Sequence, residues 1–123
     1  MRSRSRLGEG DDVTRYLISF DEGDMDFPEQ DLPDVARAAN AVVDEAKAAG
    51  VWVFGGGLTA ANGASVVGTD ATVSDGPFRG KQTFVGGFAV VEVPSREQAL
   101  EWAAKFAVAC RCAQEVRAFV PDA

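Results

Sequence analysis

Two stretches of helical periodicity, each enclosed by segments of strand-like composition, constrain this chain more than any other feature. From about Leu32 the apolar residues Val35, Ala38, Ala39, Val42, Val43, Ala46 and Ala49 recur at three- and four-residue intervals, with Pro33 in the first turn and Gly50 at the C-terminal cap position. Ser95 is a natural N-cap for a second helix. Gln98 completes its capping box, and Ala99, Leu100, Trp102, Ala103, Phe106 and Ala107 fill one face. Residues 13–20 are rich in β-branched and aromatic side chains and stop at an acidic loop over 21–30, as a buried first strand does. Val51-Trp52-Val53-Phe54 reads as a second strand, closed by Gly55, Gly56 and Gly57 as a tight exit or bulge. Ser65-Val66-Val67 and Ala71-Thr72-Val73 flank Gly68-Thr69-Asp70 as a short hairpin. A looser segment rich in Gly, Lys and Gln precedes a strand over 88–93, and a last strand over 115–120 ends at Pro121.

Without the hairpin the order is β-α-β followed by β-α-β. Right-handed crossovers in both units give an antiparallel sheet with both helices on one face. The expected fold class is therefore α+β, a ferredoxin-like βαββαβ arrangement with an inserted hairpin. Its second sheet face is left uncovered. Depending on register, that face carries either Phe88, Val90 and Glu92 or Ala89, Val91 and Val93. Both sets are largely apolar, and a two-fold dimer packing sheet on sheet is the simplest closure.

Composition narrows the setting. The length of 123 residues, with 46% hydrophobic and 25% charged side chains, suits one domain over 13–123. Trp52, Phe54, Phe84, Phe88, Trp102 and Phe106 are the expected core aromatics. Residues 1–12 read as a flexible tail, because Arg2, Arg4 and Arg6 are balanced by Glu9, Asp11 and Asp12. A net charge of −7 with scattered cations argues against nucleic acid as a partner. Cys110 and Cys112 are too few for a disulfide framework or a structural zinc site, so reduced thiols and a cytoplasmic location are expected. No apolar run reaches membrane-spanning length, and the basic start lacks an apolar stretch behind it, so neither a signal peptide nor a membrane anchor is expected.

Asp75-Gly76-Pro77-Phe78, Gly86-Gly87-Phe88, Val91-Glu92-Val93, Ala99-Leu100-Glu101-Trp102-Ala103 and Glu115-Val116-Arg117, with Gly55-Gly56-Gly57-Leu58 upstream, resemble the DGPF branch of the YCII-related proteins. The similarity covers about residues 13–120 in consistent order. It implies a ferredoxin-like fold of the dimeric α+β barrel type, a homodimer and a cleft near the DGPF turn. Some YCII-like relatives are lyase-type enzymes, including a dehydrochlorinase with a His-Asp pair, and DGPF proteins are often encoded beside extracytoplasmic-function sigma factors. Two departures matter. Many relatives carry acidic residues after the DGPF turn, whereas here the segment is Arg79-Gly80-Lys81-Gln82-Thr83-Phe84-Val85. The chain also has no histidine, so that catalytic pair cannot be carried over.

Candidate pocket residues are Asp75, Phe78, Lys81, Glu92 and Arg117. Asp75 is either a carboxylate aimed at a ligand or the first residue of a turn, in which Asp bonds nearby backbone and Pro fixes φ; the turn is the preferred reading. Phe78 reads as packing the turn against the sheet. Glu92 interrupts an apolar strand, and projection into a dimer cleft would partly desolvate its carboxylate. Arg117 is its expected partner or an anchor for an anionic ligand, with a plain structural ion pair as the preferred alternative. The acidic run Asp21, Glu22, Asp24, Asp26, Glu29, Asp31 and Asp34 lacks EF-hand spacing and reads as a solvated loop before a helix. Gly55-Gly56-Gly57 lacks nucleotide-binding spacing. No cofactor or metal is therefore expected. Two functions remain: a homodimeric small-molecule-binding or regulatory module, and a divergent lyase or isomerase using Asp75, Glu92 and Lys81.

Overall fold

In the computed structural model, which describes residues 12–121, strand β1 (Thr14–Asp21) runs through the middle of a four-stranded sheet. It pairs antiparallel with β5 (Val85–Val93) on one side and β6 (Glu115–Ala118) on the other. The other edge of β5 pairs antiparallel with β2 (Trp52–Gly57), giving the order β2-β5-β1-β6. Helix α1 (Leu32–Ala48) connects β1 to β2, and α2 (Arg96–Cys110) connects β5 to β6. Strands β3 (Ser65–Val67) and β4 (Val73–Asp75) form a separate two-stranded hairpin between β2 and β5. The chain is thus α+β, and the strand order is compatible with the expected ferredoxin-like arrangement.

Register decides which side chains the helices cover. Thr14 lies opposite Val93, Tyr16 opposite Val91 and Ile18 opposite Ala89. The buried members of this set pack with Val42 of α1 and with Ala99, Ala103 and Phe106 of α2. Ile18, Val91 and Val93 are fully buried. Burying each such aliphatic side chain contributes about 1.5–3 kcal/mol. The alternate residues Arg15, Leu17, Phe88, Val90, Glu92 and Arg117 fall on the outer face. There Arg15 Nε donates to Glu92 Oε2 at 2.8 Å, and the Phe54 and Phe88 rings lie 5.7 Å apart.

Caps fix the helix ends. Val51, Gly50 and Ala49 donate backbone N–H bonds to the carbonyls of Ala46, Lys47 and Glu45, and Gly50 takes a φ of 76° that favours glycine. Ser95 Oγ accepts the Gln98 N–H at 3.2 Å. At the other end of α2, Arg111 is left-handed with φ 60°, and the Cys112 N–H closes onto the Ala107 carbonyl at 3.2 Å.

Several expectations are corrected. The triple glycine belongs to β2 instead of closing it, and β5 starts at Val85, so Gly86 and Gly87 are strand residues. The hairpin's second strand begins at Val73 because Asp70 accepts hydrogen bonds from the Thr72 N–H and hydroxyl, at 3.0 and 2.7 Å, which keeps Thr72 in the turn. These two bonds also lower the Asp70 pKa. Strand β6 ends at Ala118 instead of residue 120. Phe54 is 63% exposed because it projects from the outer face, and Leu100 is exposed on α2 while Ala109 and Cys110 are buried in its place. The tail expected over 1–12 lies, except for Asp12, outside the described residues.

Candidate functional site

Between helix α1 and the β2 edge of the sheet lies a cleft of about 590 Å³. One wall is the helix stripe Leu32, Val35, Ala36, Ala39, Asn40, Val43 and Lys47, spaced by three or four residues and so on one face. The floor is Trp52 and Gly55–Gly57 of β2 with Phe88 and Ala89 of β5. Phe20, Met25, Phe106, Cys110 and Gln114 complete the lining. Trp52 and Phe106, with ring centroids 6.4 Å apart, join the floor to α2.

Glycines make this floor. The ladder shifts register between Trp52 and Phe54, a bulge that drives Gly55 into the neighbouring strand. A Cβ on Gly55 would lie 2.5 Å from the Phe88 carbonyl oxygen and 2.9 Å from Ala89 Cα, both backbone atoms that cannot move aside. On β5, a Cβ on Gly87 would lie 2.7 Å from Phe20 Cζ, and one on Gly86 would lie 3.1 Å from Phe20 Cε2. The bare backbone of Gly86 and Gly87 is therefore a shelf on which the Phe20 ring rests while it lines the cleft.

The lining is mostly apolar, and among the described residues Asn40, Gln114, Cys110 and Lys47 carry its polar side chains. Burial raises the Cys110 pKa above its ordinary value of 9.0. Cys112 is raised as well, first by burial and then by the nearby Cys110 and Asp24, against a lowering hydrogen bond from Gln114. Both stay protonated at neutral pH, the opposite of what a thiolate nucleophile needs. Gln114 Nε2 donates to the Cys112 carbonyl at 3.2 Å.

The acidic loop before α1 is tied down by its carboxylates. Glu22 Oε2 accepts the Ala61 N–H at 2.7 Å, and Asp31 Oδ2 accepts from Arg111 at 2.8 Å. The same guanidinium lies 5.8 Å from the centroid of the Phe27 ring, and Asp34 pairs with Arg37. Among the described residues no group of three or more His, Cys, Asp or Glu side chains is arranged to hold a metal ion, and no helix is long and apolar enough to cross a membrane.

The residues nominated from the sequence fall into two places, and none of them lines the cleft. Asp75 ends β4 opposite Ser65, with an exposed side chain, while the Gly76 N–H bonds the Ala64 carbonyl at 2.8 Å and the Gly76–Pro77 bond is cis. Phe78 is 65% exposed, and Lys81 Nζ stands 5.7 Å from the Phe84 ring centroid. Glu92 lies on the outer sheet face, where its ion-pair partner is Arg15; Arg117 is opposite Leu17 on β6. The cleft residues that sequence reasoning passed over are Phe20, Asn40, Lys47 and Gln114. A signal existed for two of them: Asn40 interrupts the apolar stripe of α1 and Lys47 closes it, polar residues on a face otherwise meant for burial.

No curated protein matches the chain. The YCII-related domain matches residues 16–119, from within β1 to just beyond β6. With the whole sheet and both helices inside that match, this chain belongs to the YCII-related domain family.

Proposed function

We propose that this chain is a homodimeric small-molecule-binding module of the ferredoxin-like, dimeric α+β barrel type, with its ligand held between α1 and the sheet. The cleft carries this reading: about 590 Å³ of largely apolar space with a few polar groups is the size and character of a small-ligand site. Support for dimerisation comes from the outer face, where the half-buried Leu17 and Phe88 and the exposed Phe54 form apolar surface beside the buried Val90. Two free cysteines suit a reducing, cytoplasmic setting.

Binding is favoured over a lyase or isomerase reaction by where the acid–base groups lie. The chain has no histidine, and Asp75 and Lys81 belong to the hairpin region while Glu92 is across the sheet, engaged by Arg15. Asp75 acts in this reading as a turn residue of the DGPF segment. Glu92 and Arg117 serve as polar groups of the dimer face.

Filling the cleft tests the proposal. N-phenyl-1-naphthylamine, a neutral apolar fluorophore, binds the wild type, and Ala39→Trp or Ala36→Phe weakens that binding by about tenfold or more while leaving the circular dichroism spectrum unchanged. Equal binding by the wild type and both plugged variants, or no binding by the wild type, would overturn it.

A further inference from the structure

The acidity of this chain stops at the cleft. The sequence carries 19 Asp and Glu residues against 12 Lys and Arg, yet among the described residues that line the cleft none is acidic and the one charged side chain is Lys47. A protein of net charge −7 repels anions over most of its surface, so a cation as the lone charge in an apolar cleft is a specific electrostatic feature.

Lys47 is in a position to use that charge. It stands exposed in the last turn of α1, and its ammonium makes no ion pair or hydrogen bond among the described residues. Of the two nearby acids, Asp44, one turn back, makes no ion pair with it, and Glu45 is engaged by Lys105 at 3.2 Å. The helix-end carbonyls, which would otherwise attract the ammonium, already accept hydrogen bonds: Glu45 from Ala49, Ala46 from Val51 and Lys47 from Gly50. About two turns back on the same stripe, Asn40 adds an amide that bonds to no described residue. The body of the cleft between and beyond them is Val43, Trp52, Phe106 and the glycine floor.

We infer that the cleft takes a largely apolar molecule bearing a single negative charge, a cyclic or aromatic monocarboxylate in chemical class, with the anionic group at Lys47. This rests on the reading that the cleft is a ligand site and adds the charge of the ligand. The apolar end enters first, because a carboxylate buried among Phe106, Val35 and Ala89 would lose its hydration with no partner. Held at the exposed Lys47, the carboxylate keeps water on one side and gains a charge-assisted hydrogen bond on the other. Cations meet the like charge of Lys47 at that end of the cleft. Phosphates and other polyanions are disfavoured, because one lysine neutralises only one charge against the acidic surface around it.

A matched pair of fluorophores separates this inference from the binding proposal. 8-Anilinonaphthalene-1-sulfonate and N-phenyl-1-naphthylamine share their rings and differ by one anionic group. The wild type should bind the sulfonate about tenfold more tightly than the neutral compound, a preference that shrinks as salt rises from about 50 to 500 mM. Lys47→Met should remove the preference, Lys47→Arg should retain it, and Ala39→Trp should weaken both probes. Equal affinities for the two probes, unmoved by Lys47→Met, would overturn the anion inference and leave the binding proposal standing. Sulfonate binding that survives Ala39→Trp would place the anion elsewhere and overturn the inference too. If neither probe binds the wild type, both fall.

Discussion

Phe20 and Gly87 show what one absent side chain does. The ring lies where a Cβ on residue 87 would be, 2.7 Å from its Cζ, so adding a methyl group pushes Phe20 toward the cleft it lines. Gly87→Ala should cost about 1–3 kcal/mol in urea unfolding, the usual range for an overpacked site. Phe20→Leu should recover part of that loss when the two substitutions are combined, giving a non-additive double-mutant cycle. Strict additivity would show that the contact carries no energy. The sequence could not announce this pairing. Glycine disfavours strands, so Gly86-Gly87 reads locally as loose chain, and the reason it is strand lies in an aromatic residue on β1.

At the scale of elements, the C-terminal end of α2 sets two small terms against each other. Arg111 holds a left-handed φ of 60°, which costs a residue with a Cβ about 1 kcal/mol relative to glycine. In exchange its guanidinium binds Asp31 and covers Phe27. The ion pair is partly exposed and contributes less than about 1 kcal/mol. Arg111→Gly should therefore change global stability by under about 1 kcal/mol while amides over 24–31 exchange faster with deuterium, a local loosening that mass spectrometry resolves. Unaltered exchange there would mean that Arg111 does not latch the loop. The two helices were legible from sequence, because apolar spacing, the Ser95 cap and Gly50 are local signals. The hairpin was misread by two residues because a side chain, Asp70, competes with the ladder for Thr72.

For the whole molecule, the question is what covers the outer face of the sheet. Leu17 sits at its centre, opposite Val90 on one side and Arg117 on the other. If two copies pack there, light scattering gives twice the chain mass, and Leu17→Glu yields a monomer with an unchanged far-ultraviolet spectrum. A monomeric wild type at micromolar concentration would refute the dimer. The candidate site resisted sequence reading for a reason of the same scale. Its walls come from β1, α1, β2, β5 and α2, and no two of those segments form a motif in the sequence. The DGPF segment is compact and easily seen, but its visibility comes from turn chemistry.

The bulge in β2 has a consequence for how the protein behaves in a crowded solution. Strand β2 is an edge of the sheet, and an unbroken edge strand offers its spare amides as a template for further chains. The register shift between Trp52 and Phe54 interrupts that row, and the glycines that follow have little propensity for fibrillar stacking. The same irregularity that sets the glycine floor of the cleft thus works against edge-to-edge aggregation.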